Sequence, residues 1–159
     1  MPKIVIETFI NANKEIVFNL SRSVDLHKIS TKHTNEKAIA GKTEGLIEFN
    51  ESVTWRAKHL GFYQNLTSKI TSYKYPTYFC DEMQKGAFHS FKHEHIFSDK
   101  EKGTLMKDIF IYVSPFGILG KIADSVFLKK YMENLLIKRN QIIKEFAESD
   151  KWKEIITKD

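Results

Sequence analysis

The period of apolar and polar positions changes twice along the chain, and the changes divide it into three parts. Residues 3–10 alternate and are rich in β-branched side chains, which predicts a first strand. Asn11-Ala-Asn13 carries helix-capping chemistry, and Lys14 to Leu20 then puts Ile16, Val17 and Leu20 on one helical face. A second short helical piece runs from about Val24 to Ile29. The polar stretch from Ser30 to Glu44 reads as a loop long enough to be functional or mobile.

From Leu46 to Val113 the chain alternates again, broken by turn signals at Asn50-Glu51, Gly61, Tyr75-Pro76, Lys85-Gly86 and Asp99 to Gly103. Short strands at this spacing predict an antiparallel meander, which we count as six strands. The last third takes a helical period. Ser114 and Pro115 form a cap and first-position pair, and Leu119, Ile122, Ala123, Val126, Phe127, Tyr131, Leu135, Ile142, Ile143 and Phe146 form an apolar stripe. A single helix over 115–149 would be about 50 Å long, although Gly117 and Gly120 allow a bend in its first turns. No repeat or linker interrupts this order, so residues 1–159 read as one α+β domain. A curved antiparallel sheet packed on one long helix can hold a cavity between its layers.

Alternation also assigns faces. Val53, Trp55, Ala57 and His59 form the more apolar side of their strand, and the following strands direct Leu66, Ser68 and Ile70, then Phe79, Asp81 and Met83, the same way. In residues 88–97 one face carries His89, Phe91, His93, His95 and Phe97, against Ser90, Lys92 and Glu94 on the other. His89, beside the Gly86 turn, is expected at the rim. Placing Lys107 outside puts Met106, Asp108, Phe110 and Tyr112 inside. These faces predict that His59, Asp81, His93, His95 and Asp108 converge inside an aromatic wall. Buried ionisable groups are costly unless paired, so histidine against aspartate is the expected arrangement.

Composition narrows the setting. Twelve Phe and six Tyr can line a large interior. The net charge of +5 is spread along the chain with no dense basic block, so no nucleic-acid surface is expected. The single cysteine, Cys80, excludes an internal disulfide and suits a reducing compartment. The N-terminal apolar run is too short for a secretory signal, and no segment reaches the ~18–20 apolar residues of a membrane span. A cytoplasmic protein without stable membrane insertion is expected.

Several stretches together resemble a known pattern. Val53-Thr-Trp-Arg-Ala-Lys-His-Leu-Gly61, Tyr75-Pro-Thr-Tyr-Phe-Cys-Asp81, Gly86-Ala-Phe88, His93-Glu-His95, Gly103-Thr-Leu-Met-Lys-Asp108 and Pro115-Phe-Gly-Ile-Leu-Gly120 are similar to a bacterial subgroup of the START and Bet v 1-like (SRPBCC) superfamily. That superfamily includes polyketide cyclases, lipid-transfer domains and uncharacterised ligand binders, and the resemblance covers almost the whole chain. It implies a helix-grip fold: a seven-stranded curved antiparallel sheet wrapped around a long C-terminal helix, with two short helices after strand 1. It implies no defined reaction, since carriers, receptors and enzymes share this scaffold.

The expected function is binding of a hydrophobic or amphipathic small molecule or lipid. Trp55, His59, Phe79, Asp81, Phe91, His93, His95, Met106, Asp108 and Phe110 are the candidate site, with the histidines and aspartates orienting a polar end. The alternative is a cyclase, dehydratase or hydrolase using a His–Asp pair as acid and base; no nucleophile elbow or phosphate loop accompanies it. His93-Glu-His95 has a chelating spacing, but two-His patterns on strands are common by chance, so neither a metal nor a cofactor is expected. A protein partner stays open at the 30–44 and 98–103 connections and at the tail, Lys151 to Asp159.

Overall fold

The computed structural model describes residues 1–157, apart from the side chains at positions 124 and 125; the last two residues of the tail, Lys158 and Asp159, lie outside the described residues. Strand β1 (Lys3–Ile10) leads into α1 (Lys14–Ser21) and α2 (Val24–Ser30). Both helices are capped as their sequences demand: the Asn13 side chain accepts from the Glu15 amide at 2.8 Å, and Ser23 Oγ accepts from the Leu26 amide at 3.1 Å. Six strands follow: β2 (Lys37–Gly41), β3 (Ser52–His59), β4 (Phe62–Lys74), β5 (Tyr78–Lys85), β6 (Ser90–Lys100) and β7 (Gly103–Val113).

The seven strands form one antiparallel sheet in the order β1-β7-β6-β5-β4-β3-β2. Strand β1 closes one edge and β2 the other, so α1 and α2 carry the chain across the inner face between them. Five strands, not six, lie between Leu46 and Val113. The sixth is β2, inside the stretch read as a polar loop, where a single 3-10 turn (Lys32–Thr34) precedes it. As a five-residue edge strand with one partner, little burial and an irregular register, β2 shows no alternation of apolar and polar positions in its sequence, KAIAG.

The C-terminal part starts at Gly117, where Phe116 and Gly117 both take a positive φ, at 66° and 53°. It runs as α3 (Gly117–Ala123), a π turn (Asp124–Leu128) and α4 (Lys129–Ala147), with a short α5 (Trp152–Ile156) behind. A π turn takes an extra residue, so apolar positions before and after it no longer share a face. The uniform stripe from Leu119 to Phe146 is therefore corrected. Leu119 and Val126 are 71% and 73% exposed, and the buried line of α4 is Leu136, Arg139, Asn140, Ile143 and Ala147. Helix α4 packs on β1, α1 and α2. Trp152, Ile155 and Ile156 of the tail pack on the domain's own core.

The core falls into two clusters. One surrounds Phe18, whose ring meets Tyr73, Tyr75, Phe79 and Phe97 edge-on at 5.2–5.5 Å between centroids. The other holds Ile4, Phe91, Phe110, Tyr112 and Leu136 at the opposite end of the sheet. No helix among the described residues is long and apolar enough to cross a membrane.

Candidate functional site

Strand register builds the site. In the β5–β6 ladder Phe79 stands opposite His95 and Asp81 opposite His93, while in the β6–β7 ladder His95 stands opposite Asp108 and His93 opposite Phe110. Residues directly opposite on one face have Cβ atoms about 4.5–5.5 Å apart, so two imidazoles on β6 are flanked by a carboxylate from each neighbouring strand. Alternation along β7 buries Met106, Asp108, Phe110 and Tyr112, which confirms the inward assignment of that strand; Lys107 faces out and pairs with Glu7 at 3.0 Å.

Asp108 is the centre of the network and is fully buried. His93 Nε2 lies in hydrogen-bond contact with its Oδ1 at 3.0 Å, and Asn140 Nδ2 donates to its Oδ2 at 2.7 Å. His95 Nδ1 is also 3.0 Å from Oδ1, but it is out of line and has no aligned hydrogen-bond partner there. Its other nitrogen, Nε2, contacts Asp81 Oδ1 at 2.9 Å. Arg139 lies 3.5 Å from Asp108 Oδ1 and donates to the Asn140 side chain and to the Ser21 carbonyl. The His95 ring stacks on Phe79 at 4.1 Å.

Burial alone would raise both aspartates. For Asp108 the hydrogen bond of His93, the close approach of His95 and the charge of Arg139 outweigh it and hold the carboxyl well below the ordinary range. For Asp81 the His95 hydrogen bond and the charges of His93, His95 and Arg139 outweigh burial and lower it. His93 moves down, because burial and its neighbour His95 outweigh the pull of the two aspartates. The cluster therefore holds two carboxylates, one guanidinium and a histidine biased towards neutrality.

A cavity of about 530 Å³ lies between the sheet and the helices. Trp55, His59, Phe79, Asp81, Phe91, His93, His95 and Phe110 line it. Met106 and Asp108 do not: both point inward but sit behind the wall, Met106 with its sulfur 3.4 Å from Ser21 Oγ under α1, and Asp108 behind the two histidines. His89 is exposed, as its place beside the turn implies. Leu60, Phe116 and Leu119 line the cavity and are exposed, which marks the mouth.

His59 faces the cavity but does not join the aspartate network. As the last residue of β3 it lies at the other end of the wall, with its Nδ1 2.8 Å from the Tyr131 hydroxyl. Burial lowers its pKa, with Glu36 opposing and His33 reinforcing the shift. Glu36 is itself held below the ordinary range: burial would raise it, and the contact with His27 at 3.2 Å dominates among the opposing influences. His27 in turn leans on Trp55, with 4.3 Å between ring centroids. The cavity thus has two polar stations, Asp81–His93–His95 and His27–Glu36–His59, the second backed by the Tyr131 hydroxyl.

Arg139, Asn140, Glu36 and Tyr131 were not among the sequence candidates for a polar site. Lys138-Arg139-Asn140 reads as a solvated helical face, although Leu136, Arg139, Asn140 and Ile143 at spacings of three and four are the signal that they share a buried one. Nothing in the local pattern marks Glu36, which depends on the unforeseen strand β2.

Sheet, gripping helix and the cavity between them define the START/Bet v 1-like fold, and solved structures agree. TTHA0849 from Thermus thermophilus is 18% identical with a TM-score of 0.69, over 89% of this chain and 97% of its own. The ginseng major latex-like protein 151 from Panax ginseng is 14% identical with a TM-score of 0.67, over 92% and 97%. The di-domain ARO/CYC StfQ of the steffimycin biosynthetic pathway gives 0.73 at 10% identity, over 92% of this chain and 50% of that one. No protein-family model and no curated protein sequence matches the chain.

Proposed function

We propose that the protein binds a hydrophobic or amphipathic small molecule or lipid in this cavity, with the ligand's polar end against Asp81, His93 and His95. The observation that carries this reading is the cavity itself. Its volume lies within the ~300–1,000 Å³ range of small-molecule sites. Its wall is mostly aromatic and aliphatic, and most of its ionisable groups are gathered at two stations. The buried Cys80 thiol, pushed up to about 11 chiefly by burial, is no nucleophile and fits a protein working in the cytoplasm.

Catalysis at the same place is the second reading. A buried histidine kept neutral beside two carboxylates has the form of a general base, and StfQ, of like fold, carries a cyclase designation in its name. Titration with the apolar fluorophore 1-anilinonaphthalene-8-sulfonate tests the binding reading. Ser68 is buried and lines the cavity, so Ser68→Phe fills it from the wall. Saturable enhancement that drops at least tenfold in affinity in Ser68→Phe is expected. Equal binding by both proteins would place the probe elsewhere and overturn the proposal.

A further inference from the structure

We propose that Asp81, His93 and His95 form a site for one divalent transition-metal ion of the zinc or ferrous type, and that Asp108 orients both histidine ligands from behind. One potential ligand atom from each of the three side chains lies within 4.8 Å of the other two. Asp81 Oδ1 is 2.9 Å from His95 Nε2 and 3.9 Å from His93 Nδ1. An ion about 2.0–2.2 Å from each nitrogen and oxygen keeps neighbouring ligands roughly 3.0–3.5 Å apart. With the nitrogen–nitrogen separation also inside 4.8 Å, side-chain movements of about an ångström convert the observed arrangement into that one.

The surroundings of the three side chains add what a bare two-histidine spacing lacks. Metal-bound imidazoles ordinarily give their second N–H to a carboxylate, which fixes the tautomer and raises ligand basicity. His93 Nε2 already contacts Asp108 Oδ1 at 3.0 Å, so its Nδ1 is left on the Asp81 side. His95 Nδ1 stands 3.0 Å from the same oxygen without alignment. A small rotation of that ring seats its N–H on Asp108 and frees Nε2, now held by Asp81, for the ion. Asp108 cannot compete as a ligand, because Asn140 takes its second oxygen and Arg139 approaches the first.

Access agrees. Asp81, His93 and His95 line the cavity while Asp108 does not, so the open coordination positions face the space where a ligand's polar end would sit. Nitrogen and oxygen donors without thiolate suit zinc, cobalt or ferrous ion. The site needs no organic ligand, so it stands or falls separately from the binding reading above.

Protein made without a histidine tag and stripped with a chelator is titrated with Zn²⁺ by calorimetry and with Co²⁺ by visible absorption. One saturable equivalent is expected, with cobalt bands of a low-coordinate nitrogen and oxygen site. Asp81→Asn, nearly isosteric and at a partly exposed position, abolishes binding, and Asp108→Asn weakens it about 10- to 100-fold. His33→Gln, at an exposed histidine outside the cavity lining, leaves it unchanged. Circular dichroism checks folding, and His93→Gln replaces Asp81→Asn if that variant fails to fold. Absence of a saturable equivalent, or binding that survives loss of these ligands, overturns the proposal.

Discussion

At the scale of single residues, burial decides which groups titrate unusually, and His59 shows what alternation can and cannot tell. Its place on the inner face is legible from Val53, Trp55 and Ala57 before it; its depth is not, because a period of two says nothing about position along the cavity. It sits by Tyr131, Glu36 and His33 instead of the aspartates. His59 lies below the ordinary histidine value of 6.5, mainly through burial. The folded state then binds fewer protons than the unfolded chain, so stability falls as pH drops below that value. His59→Gln is expected to flatten the decline in melting temperature between about pH 7 and about pH 5. Thermal melts across that range check it; an unchanged slope would contradict the assignment.

Asp108 was the more legible case. Once Lys107 is put outside, its neighbour must be inside, and a buried carboxylate demands partners. The histidines of β6 could be named because they share a face; Arg139 and Asn140 could not, because they arrive from a helix whose charged run looks solvated.

At the scale of elements, strands with two faces in different surroundings announced themselves and the exceptions did not. β3 to β7 follow the expected turns, whereas β2 hides in a polar stretch because an edge strand has little to bury. The π turn is similarly silent in sequence, yet it rotates the apolar stripe and leaves Leu119 at the mouth and Val126 on the surface. Helix α4 is fastened to the sheet through Arg139, which reaches Asp108 and the Ser21 carbonyl at once. Arg139→Met keeps much of the volume but removes the guanidinium beside a buried carboxylate. It is expected to lower stability by about 3–5 kcal/mol in a urea melt. A loss below about 1 kcal/mol would mean that Asn140 and the histidines suffice to hold Asp108.

At the scale of the whole molecule, the fold was readable because every level agreed: caps, alternation, turn chemistry and one long helix all call for a sheet gripping a helix. The ligand was not readable, because the cavity is lined from many distant segments and its wall is mostly generic apolar surface. What is specific is the pair of polar stations within that wall. Native mass spectrometry of untagged protein, purified without denaturants, tests the central claim most directly. A discrete organic mass should accompany the wild-type chain, leave on denaturation and be absent from Ser68→Phe. A wild-type chain that carries no such mass, and to which fatty acids and aromatic polyketides of suitable size add none, would contradict the account.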